Sequence, residues 1–175
     1  MLTNKKNIAL TGMMGCGKST ISKELSTLLP EFDCVEMDYE IEKKEKTTIN
    51  EIFSSKGEKY FREIETKLIK ELSRKTKLII SMGGGAFLRE ENRELLKQNS
   101  ISFYLKTNAD EIYNRIKNDT TRPLLKTQDI KAKINEILKN REKYYNLADI
   151  TIDTTNKKPK EIAQEVLEKY NKYDN

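Results

Sequence analysis

The sequence has no histidine among its 175 residues and only two cysteines, Cys16 and Cys34. Two cysteines are too few for a disulfide framework, and without histidine there is no plausible zinc cluster and no histidine base. Long apolar runs are missing too: stretches such as Leu78 to Met82 fall far short of the roughly 20 residues a membrane span requires. The first ten residues lack the apolar core of a secretion signal. Together these absences predict a cytoplasmic, reduced protein with no structural metal and no membrane contact. Arginine is scarce, seven of the 33 basic residues, so it is expected where planar, bidentate anion binding matters. Glycine is equally sparse, but six of its seven occurrences fall in two short stretches, at Gly12, Gly15 and Gly17 and at Gly83, Gly84 and Gly85.

The net charge of +5 is spread through Glu-Lys mixtures rather than gathered into one basic block. This pattern reads as a solvated surface and not as a nucleic-acid footprint. A chain of this length suits one domain, residues 1–175, that buries about two-thirds of its unfolded surface.

Read in order, Asn7 to Thr11 is a short apolar strand that stops at Gly12. Ile21, Leu25, Leu28 and Leu29 then recur at helical spacing until Pro30. Cys34 to Asp38 is expected as a second strand, followed by a short helix with Ile49, Ile52 and Phe53 and a longer one with Phe61, Ile64, Leu68 and Leu72. Lys77 to Ser81 is a third strand running into the triple glycine. A short helix with Leu95 and Leu96, a strand at Ile101 to Leu105, and a helix with Ile112 and Ile116 capped by Asn108 come next. Lys117 to Asp129 is polar and aperiodic, a loop or lid candidate. Then come a helix from Ile130 to Leu138, a fifth strand at Ile150 to Ile152, and a final helix opened by Pro159. Alternating strands and helices imply a three-layer α/β fold, a five-stranded parallel sheet covered on both faces, with insertions.

Gly12-Met13-Met14-Gly15-Cys16-Gly17-Lys18-Ser19 matches G-x-x-x-x-G-K-[ST] in full, between an expected strand and an expected helix. Such a loop turns successive N–H groups toward an anion, Lys18 reaches the β- and γ-phosphates, and Ser19 can ligate Mg²⁺. It marks a nucleoside triphosphate site without fixing the reaction. Cys16, near a helix N-terminus, is a labelling candidate.

The string GMMGCGKST, the acidic segment EMDYEIE, the helix string FREIE, the loop GGGA, the lid string TRPLL and the late helix string NREKYYNLAD occur in this order. Across nearly the whole chain this pattern resembles shikimate kinase, the small phosphate-loop kinase family that phosphorylates the 3-hydroxyl of shikimate. The resemblance implies ATP with Mg²⁺ and shikimate as the small-molecule ligands, a substrate-binding segment near residues 36–65 and a lid over 117–129; the chain is read as a monomer. Two other readings stand beside it: another small-metabolite or nucleoside monophosphate kinase, of the gluconate or adenylate type, and a nucleotide-binding regulatory domain without turnover.

Asp38, at the expected end of the second strand, can orient the acceptor hydroxyl and act as base, or serve as a helix N-cap. The family's segment usually reads D-x-D, its first acid helping to order Mg²⁺ through water; here that position is Glu36. Arg62 and Arg141 either pair with acids on their own helices, Arg62 with Glu58 or Glu65, or, as the resemblance implies, hold the substrate carboxylate. Gly83, Gly84 and Gly85 would let the backbone approach the substrate. Arg122, before Pro123, would bring positive charge to the transferring phosphoryl group. Gly15, Cys16, Gly17, Lys18, Ser19 and Thr20 would bind ATP. By resemblance Arg115 and Pro159 flank adenine, though Arg115 also fits a solvated helix position. Tyr39, Tyr60, Tyr144 and Tyr145 read as packing residues.

Overall fold

A computed structural model describes residues 6–118 and 129–173. Its order is β1 (Asn7–Thr11), α1 (Lys18–Leu28), β2 (Asp33–Glu36), α2 (Met37–Glu45), α3 (Ile49–Leu72), β3 (Leu78–Ser81), a 3-10 turn (Ala86–Leu88), α4 (Glu90–Lys97), β4 (Ser100–Lys106), α5 (Ala109–Ile116), α6 (Ile130–Tyr145), β5 (Ile150–Asp153) and α7 (Pro159–Tyr173). The five strands form one sheet in the order β2-β3-β1-β4-β5, and every pairing is parallel. β1 lies in the middle and is wholly buried. Its C-terminal end, between the neighbours β3 and β4, is where open parallel sheets bind ligands.

Period-two alternation distributes the core. Ile8 and Leu10 face α1 and α7 with Leu25, Phe103, Val166 and Tyr170. Ala9 and Ile80 face the other way, against Met37, Ile64, Leu68 and Leu96. A third cluster under α5 and α6 gathers Tyr104, Ile112, Ile116, Ile134 and Tyr145. Each fully buried Leu or Ile contributes about 1.5–3 kcal/mol of transfer free energy, so both helical layers are strongly held to the sheet.

Three elements differ from the sequence reading. β2 ends at Glu36, two residues before the expected Asp38, because Met37 and Ile41, spaced i and i+4, both bury completely and start α2. Asp38 therefore sits in the first helical turn, beside Glu40, where negative charge complements the helix dipole; Glu36, not Asp38, takes the N-cap position. The 3-10 turn after the triple glycine was not expected. α3 opens with a capping box between Thr48 and Glu51 and is interrupted at Gly57, whose φ of 81° and ψ of 169° only glycine adopts easily. That interruption separates the two expected helical segments. Asn108 caps α5 as expected, its Oδ1 accepting from the Glu111 N–H at 2.8 Å.

Candidate active site

The phosphate-loop sequence folds as a curl between β1 and α1. Gly15 has a φ of 78°, and a Cβ there would lie 2.7 Å from the Ile116 side chain, so position 15 admits no other residue without displacement. Lys18 donates from Nζ to the carbonyls of Gly12 at 2.8 Å and Met13 at 3.0 Å, which holds its ammonium inside the curl. Gly17 precedes α1 without a side-chain cap, leaving the helix start for an external acceptor. The loop forms one wall of a cleft of about 430 Å³ whose other walls include Ser19, Glu36, Asp38, Met82, Gly84 and Arg115.

Ser19 donates from Oγ to Glu36 Oε2 at 2.8 Å. The bond orients the hydroxyl hydrogen toward the acid and leaves the Oγ lone pairs for a cation. Glu36 Oε1 is buried with no hydrogen-bond partner among the described residues, the kind of orphaned oxygen that a cation or its water satisfies. No cluster of three or more Cys, Asp or Glu residues suited to a metal occurs among the described residues. One hydroxyl and one nearby carboxylate fit Mg²⁺ arriving on nucleotide phosphates, since that ion keeps most of its waters and takes few protein oxygens.

At the acceptor end the three consecutive glycines are packed against four polar side chains. A Cβ at Gly83 would stand 2.6 Å from Glu65 Oε1 and 3.1 Å from Asp38 Oδ1. One at Gly85 would lie 2.5 Å from Arg62 Nη2. At Gly84 the nearest atoms are Met14 N and Gly12 O of the phosphate loop and, at 3.9 Å, Arg141 Nη1. None of the three has a positive φ, so these glycines are required for space and not for backbone freedom. They bring Asp38, Arg62, Arg141 and the phosphate loop to one strand end. Arg141 donates to the Gly84 carbonyl at 3.4 Å.

Of the two readings of Arg62, the pairing with acids on its own helix is present. Its guanidinium donates to Glu65 at 2.5 Å and to Glu58 at 3.1 Å, while lying against Gly85. Two residues emerge that pattern had left unassigned to the site. Glu65 is completely buried and anchors Arg62 from beneath, with Oε1 lacking a hydrogen-bond partner among the described residues. Tyr145, read as packing, does stack on Tyr104 with ring centroids 5.2 Å apart, but its hydroxyl also donates to the Gly84 carbonyl at 2.6 Å. It thus ties the glycine loop to α6, the helix that carries Arg141. In the sequence Glu65 is one of many acids on amphipathic helices; only its i+3 spacing from Arg62 singles it out.

Burial raises the Glu65 carboxyl from 4.5 to about 7 against the pull of Arg62, with Asp38 adding to the rise and Arg89 opposing it. The folded protein holds this proton more tightly than the unfolded chain, so stability should fall as pH rises from 4.5 toward 7. Glu65→Gln, which cannot ionise, should flatten that decline. Urea unfolding midpoints of the two proteins across the window check it; an unchanged slope in the variant would contradict the assignment.

On the nucleotide side, Arg115 is tied down: Nη1 donates to the Gly15 carbonyl at 3.2 Å and Nη2 to Glu111 at 2.9 Å. Pro159 is exposed at the start of α7, and Thr20 is exposed on α1. Cys16 is 1% exposed, its side chain in the core cluster beneath the sheet end, so the labelling expectation is wrong for this residue. Within the loop its N–H bonds to Met13 O at 3.2 Å, and its Sγ lies 3.7 Å from Lys18 Nζ. Arg122, and the lid segment apart from its ends at Lys117, Asn118 and Asp129, lie outside the described residues. No described helix is long and apolar enough to cross a membrane.

The family model for shikimate kinase matches residues 14–171. The shikimate kinase of Thermodesulfovibrio yellowstonii is 39% identical over 170 residues, 97% of this chain and 98% of that protein. That of Bacillus cereus is 43% identical over 166 residues, covering 95% and 99%. The structure of shikimate kinase from Acinetobacter baumannii in complex with shikimate matches with a TM-score of 0.90 at 37% identity, over 96% of this chain and 94% of that one. A gluconokinase from Sinorhizobium meliloti, at 13% identity and a TM-score of 0.62, shares the fold alone. A family model that matches most of the chain, with relatives 39–43% identical along nearly its full length, places the chain in the shikimate kinase family.

Proposed function

We propose that the chain transfers the γ-phosphoryl group of ATP to the 3-hydroxyl of shikimate, giving ADP and shikimate 3-phosphate for aromatic amino acid biosynthesis. The observation that carries this reading is the glycine loop. Arg62 and Arg141 contact its adjacent glycines, Asp38 the third, and the phosphate loop meets it at Gly84. Two forked donors suit one planar carboxylate, and a carboxylate beside them suits a hydroxyl that must be aimed at the nucleotide.

Asp38 accepts the acceptor hydroxyl's hydrogen bond, orients it for in-line attack and takes its proton. Lys18 exchanges its loop carbonyls for phosphate oxygens and offsets charge on the transferring group. Such transfer needs positioning and charge stabilisation more than covalent help. Ser19 would hold Mg²⁺ and Glu36 would help order it, and the ion would neutralise further phosphate charge. Arg122 is proposed, from the resemblance, to add positive charge at the γ-phosphoryl group under a lid formed by 117–129. We read the protein as a cytoplasmic monomer.

Two-dimensional ¹H–³¹P correlation of the product tests this directly. Coupling of phosphorus to the proton on C3 is expected; a phosphoryl group on another hydroxyl, or none, rejects it. Within the pocket, Arg62→Lys and Arg141→Lys should each weaken shikimate binding by about 1.5–3 kcal/mol, because lysine keeps the charge and loses the fork. ADP affinity should change far less. Titration calorimetry that shows equal losses for both ligands would remove the carboxylate role.

A further inference from the structure

Glu111, in the first turn of α5, divides its two carboxylate oxygens between segments far apart in sequence. Oε2 accepts from Arg115 Nη2 at 2.9 Å, and Oε1 accepts from the backbone N–H of Asn156 at 3.1 Å. Asn156 has a φ of 58°, uncommon for a residue with a side chain, in the turn between β5 and Pro159. The Asp153 carboxylate holds the preceding residue, accepting from the Thr155 N–H at 2.9 Å. A continuous chain of contacts therefore runs from the Gly15 carbonyl through Arg115 and Glu111 to the turn that leads into α7.

As a half-exposed ion pair, Arg115–Glu111 adds little to folding, on the order of 0–1 kcal/mol. Its geometry has another consequence. A guanidinium hydrogen-bonds only in its own plane, and both partners of Arg115, Gly15 O and Glu111, meet its N–H edge. Fixing that edge leaves the two flat faces for stacking on an aromatic ring. The same carboxylate fixes the turn that carries the opposite wall, Pro159.

We propose that Glu111 is a positioning residue that sets the separation and orientation of the two walls of the base slot, and so selects a purine nucleotide over a pyrimidine one. This rests on the reading that Arg115 and Pro159 flank adenine. Glu111 touches neither the base nor the phosphates; it acts through Arg115 and the 153–157 turn.

The test measures ADP, CDP and inorganic tripolyphosphate affinities of the full chain by calorimetry, for Glu111→Ala, Glu111→Gln, Arg115→Ala and the Glu111→Ala/Arg115→Ala double variant. Glu111→Ala should weaken ADP roughly tenfold, weaken CDP much less and leave tripolyphosphate unchanged, since that ligand has no base. Glu111→Gln, which preserves shape and one acceptor, should fall between. The double variant should lose less than the sum of the two single losses, because part of the Glu111 effect passes through Arg115, and somewhat more than Arg115→Ala alone, because the rest passes through the 153–157 turn. If Arg115→Ala weakens ADP selectively and Glu111→Ala does not, the inference fails while the adenine reading stands. If Arg115→Ala leaves ADP unaffected, the adenine reading fails and the inference with it. Equal losses for ADP and tripolyphosphate in Glu111→Ala would mean general damage to the loop and would also overturn it.

Discussion

Lys18→Ala should lower kcat by about 10²–10³-fold or more, the range expected when a preorganised donor to developing charge is removed. The fold should survive. Lys18 is half-buried, donates to two loop carbonyls and at 3.7 Å to Cys16 Sγ, and lies outside the three apolar clusters. Water can replace these hydrogen bonds, so the stability cost should stay near 1 kcal/mol. Far-UV circular dichroism and thermal unfolding alongside a coupled ADP-release assay decide the matter. A variant with near-normal turnover would remove the phosphate-loop assignment, and an unfolded one would mean that Lys18 is structural.

Asp38→Asn keeps the shape of the side chain and removes both its charge and its basicity. If Asp38 takes the acceptor proton, kcat should fall by about 10²–10⁴-fold while ADP affinity changes little. A second consequence separates this from a packing effect. The Asp38 charge raises the neighbouring Glu65 carboxyl, so neutralising it should lower that group and shift the pH-dependent loss of stability toward lower pH. Kinetics and urea unfolding on the same variant read the two effects independently. Unchanged turnover would leave Asp38 a helix first-turn acid that complements the α2 dipole and nothing more.

Much of this architecture was legible because its signals are local. The strand, glycine loop and helix around Lys18 follow from spacing alone, and the buried strands announce themselves as short apolar runs between polar helices. The start of α2 was less visible, since Met37 and Ile41 are its only buried pair in an otherwise acidic segment. The triple glycine could be located but not explained from sequence. Its reason is that Asp38, Glu65 and Arg62 press on the Cβ positions, contacts between residues up to 45 positions apart. Glu65, Tyr145 and Glu111 were missed as site residues because each acts by what it touches across the fold; apart from the i+3 spacing of Glu65 from Arg62, neither residue type nor spacing distinguishes them from surface acids or packing tyrosines. Cys16 erred the other way. A motif position near a helix N-terminus suggested access, but its side chain turns into the core.

The measurement that bears most directly on the whole account is ADP release from Mg-ATP with shikimate, set beside gluconate, AMP and CMP as acceptors under one condition. Shikimate alone should support turnover well above the acceptor-free rate, and omission of Mg²⁺ should abolish it. Equal or greater turnover with gluconate, AMP or CMP, or no acceptor-dependent turnover at all, would contradict it.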